Sequence, residues 1–350
     1  MLALVKARSG PGGLQLQEVD RPGPGRGEVV LRVLGTGICG TDLHILEGVH
    51  PVPVPLVLGH EFVGEVTQIG PDVDGWSLGD RVVCEPHFGA CRECHLCRRG
   101  LSQHCKSKGA PGIAVDGALA PYVAAPAWLL HRVPAGLSDL AAAATEPTAV
   151  AVSAVERVGI EPGETAVVFG PGPVGLLAAM VARASGAASV TVVGRQSSSS
   201  RLRLASALGL SVFEARPQED LVGALVEAHG GRGADVVIDA TGSSVAISAG
   251  LRALRRRGRL CAVGLSGTGT IELPWDEAMF QAVDLYFSMS SSYTSWDRAL
   301  SLIATGQVAA ERLVTSFALA DWEAAFAALE RREVVKAVLV PGEIGGGTAG

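Results

Sequence analysis

The stretch TAVVFGPGPVGLLAAMVA, residues 165–182, decides the fold. It carries no charge and is long enough to cross a bilayer. Gly170, Pro171, Gly172, Pro173 and Gly175 interrupt it, however, and charged residues flank it closely. It therefore reads as a buried strand, a turn and a helix. The three glycines fit G-x-G-x-x-G, and a strand before with a helix after is the context in which that pattern binds a dinucleotide. Gly170 permits the tight turn, and Gly172 lets a pyrophosphate approach the backbone. Gly175 lets helix and strand pack closely, and Pro173 and Val174 open the helix whose positive end receives the phosphates. The competing reading is a tight strand–helix turn with no ligand.

Downstream the alternation continues. ASVTVVG is a strand, SSRLRLASALG and DLVGALVEAHGG are helices, and ADVVIDATG and GRLCAVGL are strands. Strands separated by helices of this length predict an α/β fold with a doubly wound parallel sheet over residues 151–287. Upstream the texture differs. EVVLRVLGTGIC, FVGEVTQIG, DRVVCE and YVAAP are short β-branched runs between Gly and Pro clusters, and AAAATEPTAVAVSAVERVGI reads as one helix. Beyond Phe287, SWDRALSLIATGQV and ALADWEAAFAALERRE read as amphipathic helices and VVKAVLVP as a last strand. The expected organisation is a β-rich domain from residues 1–150 and 288–350, interrupted by the nucleotide-binding domain. The terminal GGGTAG is expected to be disordered.

Composition narrows the function. The chain has 350 residues, enough for two domains, with 48% hydrophobic and 18% charged residues. Its 29 basic and 35 acidic residues leave a net charge of −6, which argues against nucleic acid or an anionic membrane as partner. The N-terminal stretch MLALVKARSG has no apolar core of signal-peptide length. Seven cysteines are too few for a secreted disulfide scaffold. A cytoplasmic protein without a membrane partner is expected.

The second strand bears on cofactor choice. NAD binding calls for an acidic residue about 20 positions after the glycine loop. Gly194 stands there, followed by Arg195, Gln196 and Ser197, with no Asp or Glu from Gly186 to Phe213. A guanidinium and hydroxyls suit a 2′-phosphate, so NADP(H) is favoured over NAD(H). Alternatively, Arg195 is a solvated arginine that stacks on adenine under either cofactor.

Cys91, Cys94, Cys97 and Cys105 stand as C-x2-C-x2-C-x7-C. Four thiolates on short loops suit a closed, structural Zn²⁺ site in a lobe at about 88–108. The ferredoxin run C-x2-C-x2-C-x3-C-P fits less well, because the last gap is seven and Lys106 follows. His95 and His104 read as surface residues of the lobe, and Cys84 and Cys261 as buried thiols. Three further segments, Cys39-Gly-Thr41-Asp42-Leu-His44, Gly59-His60-Glu61 and Thr145-Glu146-Pro147, offer thiol, imidazole and carboxylate donors for a zinc site with an open position.

Taken together with the glycine loop, the cysteine lobe and GDRV at 79–82, these segments resemble, in order and spacing across essentially the whole chain, the zinc-dependent medium-chain dehydrogenases/reductases. The resemblance implies a GroES-like β-rich catalytic domain beside a Rossmann domain, and two zinc ions per chain. It implies that Cys39 and His60 ligate the catalytic zinc, with Glu61 and Glu146 as further ligands or close neighbours; a glutamate at 146 is similar to sorbitol dehydrogenase-like members. By the same resemblance Thr41 looks like the hydroxyl that contacts the substrate oxygen, His44 like the next link of a proton relay, and Asp42 like the acid that orients the zinc histidine. In such a site the metal acidifies an alcohol, Thr41 and His44 carry the proton off, and hydride passes to the nicotinamide.

The implied substrate is a small secondary alcohol, polyol or sugar, or the matching carbonyl. Glu146-Pro147 departs from the Asp-Pro-Phe run associated with threonine dehydrogenases. Pro274–Trp296, rich in aromatics, either lines the substrate pocket or serves core and subunit contacts. A homotetramer or homodimer is implied. Two alternatives remain: an NAD-dependent sugar, threonine or butanediol-type dehydrogenase, and a non-catalytic zinc- and nucleotide-binding protein.

Overall fold

In the computed structural model, which describes residues 1–342, a strand at Thr165–Phe169 runs through Gly170–Gly172 into a helix at Pro173–Ala184. The terminal GGGTAG lies outside the described residues. In chain order the strands are β1 (Leu2–Lys6), β2 (Leu14–Glu18), β3 (Glu28–Gly37), β4 (Leu56–Val57), β5 (Glu61–Ile69), β6 (Arg81–Cys84), β7 (Tyr122–Pro126), β8 (Leu130–Arg132), β9 (Thr165–Phe169), β10 (Ser189–Arg195), β11 (Ser211–Ala215), β12 (Ala234–Asp239), β13 (Leu254–Ala262), β14 (Asp284–Phe287), β15 (Val314–Ala318) and β16 (Lys336–Val340). The α-helices are α1 (Gly40–Leu46), α2 (Asp139–Ala143), α3 (Thr145–Val158), α4 (Pro173–Ala184), α5 (Ser199–Ala207), α6 (Leu221–Ala228), α7 (Ser244–Ala253), α8 (Trp275–Phe280), α9 (Tyr293–Ala304) and α10 (Trp322–Glu330). The chain divides into two units, Pro147–Leu313 and the remainder, Met1–Glu146 with the stretch from Val314.

In Pro147–Leu313 six strands form one parallel sheet in the order β11-β10-β9-β12-β13-β14. Numbered from β9, that is 3-2-1-4-5-6, the doubly wound order. Central β9 and β12 are almost wholly buried and are apolar over residues 166–169 and 236–238, as helices on both faces require. α7 closes onto the sheet at Gly250, where a Cβ would stand 2.9 Å from Val237 Cγ1. The strand order reverses between β9 and β12, so the carboxyl ends of these two strands form the switch point where such sheets bind ligands.

The second crossing between the units falls after Leu313, whereas the change of sequence texture placed it at 287/288. Residues 288–313 stay with the parallel sheet for stated reasons. The Ser288 N–H donates to the Ala262 carbonyl at 3.0 Å, Trp296 is fully buried, and Ser295 Oγ meets Glu156 on α3 at 3.4 Å. The helix read over AAAATEPTAVAV is two helices, α2 and α3, separated at Ala144. Of the aromatics in 274–296, Trp296 is core, while Trp275, Phe280, Phe287 and Tyr293 are exposed.

The other unit is β-rich. Its larger sheet runs β15-β16-β3-β5-β6-β8, with β7 also on β3, and a small sheet runs β2-β1-β4. Val29, Leu31, Phe62, Val82, Val123 and Leu129 form one core. The register positions the site: Gly37 at the end of β3 pairs with Glu61 at the start of β5, and Val338 of β16 pairs with Gly37 from the other side. Among the described residues no helix is long and apolar enough to cross a membrane.

Candidate active site and metal centres

Because β3 and β5 are antiparallel with Gly37 opposite Glu61, the residues just past the end of β3 and just before β5 meet at one edge of the sheet. Cys39 and His60 are those residues. One donor atom each from Cys39, His60 and Glu61 lies within 4.8 Å of the other two. Cys39 begins α1: its N–H donates to Asp42 Oδ2 at 2.8 Å, which ties the thiol-bearing residue to the first helical turn. Thr41 Oγ1 lies 3.6 Å from Cys39 Sγ.

The surroundings are buried and acidic. His60, Glu61, Asp42 and Glu146 are all buried. His60 Nδ1 and Asp42 Oδ1 have no hydrogen-bond partner among the described residues, a costly condition for buried polar atoms. Burial by itself would lower the pKa of His60. Cys39 beside it, with Asp42 and Glu146, outweighs burial and raises it to about 10. Burial, reinforced by the charge of Glu61, pushes Glu146 up to about 7. Burial also raises Asp42. A thiol, an imidazole with an idle nitrogen and a carboxylate, set among further acids, is a donor set that a divalent cation fits. Glu146, at the start of α3, stands outside the 4.8 Å set and acts on it by charge.

Lys336 of β16 enters the same place and escaped the sequence reading. Its side chain is buried, its Nζ donates to the Ile38 carbonyl at 2.9 Å, and it forms an ion pair with Glu61 Oε2. Burial would lower its pKa, but Glu61 and Cys39 outweigh burial and raise it. Gly37 leaves room for this pair; a Cβ there would lie 2.7 Å from Lys336 Cε and against Glu61 Oε2. In the sequence, VVKAVLVP reads only as a last strand, with no residue in it singled out. Only the register of β16 on β3 shows Lys336 turned inward.

His44, on α1, is half-exposed, and its Nδ1 meets Glu47 Oε2 at 3.2 Å. Among the described residues no hydrogen bond joins it to Thr41. A second network, also unread in the sequence, ties β6 to β8: buried Glu85 bridges His87 Nδ1 at 2.9 Å and His131 Nε2 at 3.0 Å.

The four cysteines converge. Their sulfurs all lie within 4.8 Å of one another, with Cys91 to Cys105 at 3.6 Å and Cys91 to Cys97 at 4.0 Å. Tetrahedral Zn–S bonds of about 2.3 Å place sulfurs about 3.8 Å apart, between those two separations. Backbone N–H groups of Cys91, Cys94 and Cys97 donate to the sulfurs of Cys105, Cys91 and Cys94 at 3.4–3.5 Å, and the first of these holds the Cys105 thiol down to about 6. His95 and His104 are exposed.

At the switch point Gly170 has φ +100°, and a Cβ there would meet Thr241 Cγ2 at 2.7 Å. A Cβ on Gly172 would meet nothing within 4 Å, and one on Gly175 would collide with the Gly170 carbonyl. The helix α4 thus starts with open space over Gly172 and with Pro173 and Val174 in its first turn. Gly194 lies under Pro171, its would-be Cβ 2.8 Å from the ring, while Arg195 and Ser197 are exposed at the end of β10. An open cradle over a helix N-terminus fits a dinucleotide pyrophosphate.

Two family models match the chain. One is described as the alcohol dehydrogenase GroES-like domain, over residues 25–135, and the other as zinc-binding dehydrogenase, over residues 173–305. The chain is 36% identical to a sorbitol dehydrogenase of Halalkalibacterium halodurans, over 97% of this chain and 99% of that one. It is 35% identical to an L-threonine 3-dehydrogenase of Pyrococcus horikoshii, over 90% of each. A solved zinc-binding dehydrogenase from Sinorhizobium meliloti, bound to NADP, matches with a TM-score of 0.88 at 28% identity, over 97% of this chain and 99% of that one.

Proposed function

Since the chain belongs to the zinc-dependent medium-chain dehydrogenase/reductase family, as an alcohol- or polyol-type dehydrogenase, we propose that it interconverts a secondary alcohol, polyol or sugar with the matching carbonyl, using NADP(H) in preference to NAD(H). The observation that carries this reading is the convergence of Cys39, His60 and Glu61, one donor atom of each lying within 4.8 Å of the other two.

In the proposal Cys39 and His60 hold the catalytic zinc, with Glu61 and Glu146 supplying the neighbouring negative charge, and Cys91, Cys94, Cys97 and Cys105 hold a second, structural zinc. When bound, the catalytic zinc supplies a Lewis acid that makes a substrate hydroxyl acidic. When bound, the nicotinamide supplies the hydride acceptor. The remaining work falls to side chains. Thr41, beside Cys39 Sγ, orients the substrate hydroxyl and relays its proton, taking it as its own hydroxyl proton passes on towards His44. His44 carries that proton towards solvent, and Glu47 at Nδ1 fixes its ring and tautomer. Asp42 holds Cys39 through its N–H. Gly170, Gly172 and Gly175 receive the pyrophosphate, and Arg195 and Ser197 receive the 2′-phosphate. A homodimer or homotetramer working in the cytoplasm completes the reading.

A panel of secondary alcohols, polyols, sugars and amino alcohols, each run with both nucleotides on zinc-verified protein, tests the proposal. A polyol or secondary alcohol with NADP is expected to show the highest kcat/KM. Arg195→Ala is expected to raise the KM for NADP about tenfold and leave that for NAD nearly unchanged. No turnover with any pair would overturn the catalytic reading. A second reading, an NAD-dependent threonine dehydrogenase, draws on the Pyrococcus relative. L-threonine with NAD as the fastest pair would establish it instead.

A further inference from the structure

β12 carries an aspartate near each end, and the two are built alike but serve opposite edges of the sheet. Asp235, near the amino end, accepts from Thr165 N at 2.8 Å, Thr165 Oγ1 at 2.9 Å and the Arg255 guanidinium at 2.5 Å. Asp239, at the carboxyl end, is fully buried and accepts three bonds from its own turn: Thr241 Oγ1 at 2.6 Å, Gly242 N at 2.9 Å and Thr241 N at 3.2 Å. Asp235 has a cationic partner; among the described residues no salt bridge reaches Asp239. Burial raises the pKa of Asp239, whereas Arg255 and Thr165 outweigh burial and lower that of Asp235. A buried carboxylate without a counter-charge is expensive, and its three bonds all shape one turn.

That turn lies at the switch point. Ala240 N–H donates to the Phe169 carbonyl at 2.9 Å, at the root of the glycine loop. Thr241 Cγ2 fills the space a side chain at Gly170 would need, and Gly264 backs onto Gly242 N on the other side. Ser243 N–H donates to Thr241 Oγ1 at 3.0 Å, and Thr241 and Ser243 remain exposed beside the loop. In the 3-2-1-4-5-6 order, β9 and β10 belong to one mononucleotide half and β12 opens the other.

We propose that Asp239 is a positioning residue for the dinucleotide: it clamps the Thr241–Ser243 turn against the Gly170 turn and so shapes the part of the cradle that takes the half of the cofactor distal to the adenosine. The inference rests on the reading of this unit as a nicotinamide-nucleotide site. It separates Asp239 from Arg195, which acts on the adenosine half.

The test measures dissociation constants without substrate, by fluorescence titration of NADPH and NADH and by calorimetry with 2′,5′-ADP, on wild type, Asp239→Asn, Thr241→Val and Asp235→Asn. An amide nitrogen cannot accept the Gly242 N–H bond, so Asp239→Asn is expected to weaken both dinucleotides about tenfold, the scale of one to two lost hydrogen bonds, while 2′,5′-ADP binds within about twofold of wild type. Thr241→Val, which keeps the carboxylate, is expected to move the same way by a smaller factor, and it carries the test if Asp239→Asn does not fold. Asp235→Asn serves as the structural control: it is expected to lower Tm and leave all three constants in place. Unchanged dinucleotide binding in the turn variants would overturn the inference, as would an equal loss of 2′,5′-ADP or an equal effect of Asp235→Asn. Failure of the wild type to bind any of the three ligands would instead remove the nucleotide-site reading itself.

Discussion

The four-cysteine lobe takes all its donors from fifteen consecutive residues, whereas Cys39, His60 and Glu61 come from two strand ends joined only by sheet register. The lobe is chemically uniform, and its own backbone N–H groups support its sulfurs. The other set is mixed and buried, and it is surrounded by Asp42, Glu146 and Lys336, charges that a purely structural centre has no use for. Local closure suits a site that holds a loop together, while donors contributed by the main sheet, with unspent charge around them, suit a site that does chemistry. If that contrast is real, damage to the two sites must separate cleanly into stability and turnover.

The largest expected effect is on turnover. Cys39→Ser should cut kcat/KM on the order of a thousandfold or more with a modest change in Tm, since it removes a donor from the set that holds the Lewis acid. Metal analysis should find the lobe still loaded. Cys94→Ser should do the reverse. The chain should lose its lobe zinc and several kcal/mol of stability, read as a lower Tm and lower soluble yield, with kcat of the surviving folded fraction close to wild type. If Cys94→Ser abolished turnover in folded protein, or Cys39→Ser unfolded the chain, the division of labour would fail.

Lys336→Met sharpens the comparison from inside the chemical site. Removing one member of a buried ion pair costs about 3–5 kcal/mol because the survivor is left charged and unpaired. Here the survivor, Glu61, can turn to a bound cation instead. The variant is therefore expected to be strongly destabilised when metal-free and much less so when zinc-loaded, so zinc raises its Tm by more than it raises that of wild type. Equal zinc-induced shifts in the two proteins would show that Lys336 does not compete with metal for Glu61.

The reach of the sequence follows the same division. Spacing exposes whatever is local, so C-x2-C-x2-C-x7-C marks the lobe's donors. The glycine loop and the alternation of helices with strands whose middles are apolar foretold a parallel sheet with central strands buried on both faces. β11 and β14 were missed; both are edge strands, partly exposed, and lack that signal. Register was equally hidden. Nothing near Lys336 announces Glu61, since the two meet only because β16 and β5 both pair with β3 at Gly37. The pairing of His44 with Glu47 was local, three residues apart with Glu47 just past the end of α1, and could have been read from helical spacing.

The smallest expected effect is graded with pH and separates proton-laden from metal-laden states of the chemical site. In the metal-free chain His60 is raised from 6.5 to about 10, so the stability it contributes is complete below 6.5 and is lost as pH rises through about 10. Glu146, raised from 4.5 to about 7, costs stability as pH climbs through that window. Both act in one direction, weakening the metal-free chain as the solution becomes alkaline. Zinc must displace the His60 proton, so its affinity for this site should rise by up to about tenfold per pH unit below that pKa. Melting curves from about pH 6 to about pH 9, with and without zinc at this site and with the lobe zinc retained, should therefore show a zinc-induced Tm shift that widens with pH. A shift that stayed constant would mean that His60 enters the metal-free site neutral, and the acids around it would then need another counter-charge than the imidazolium.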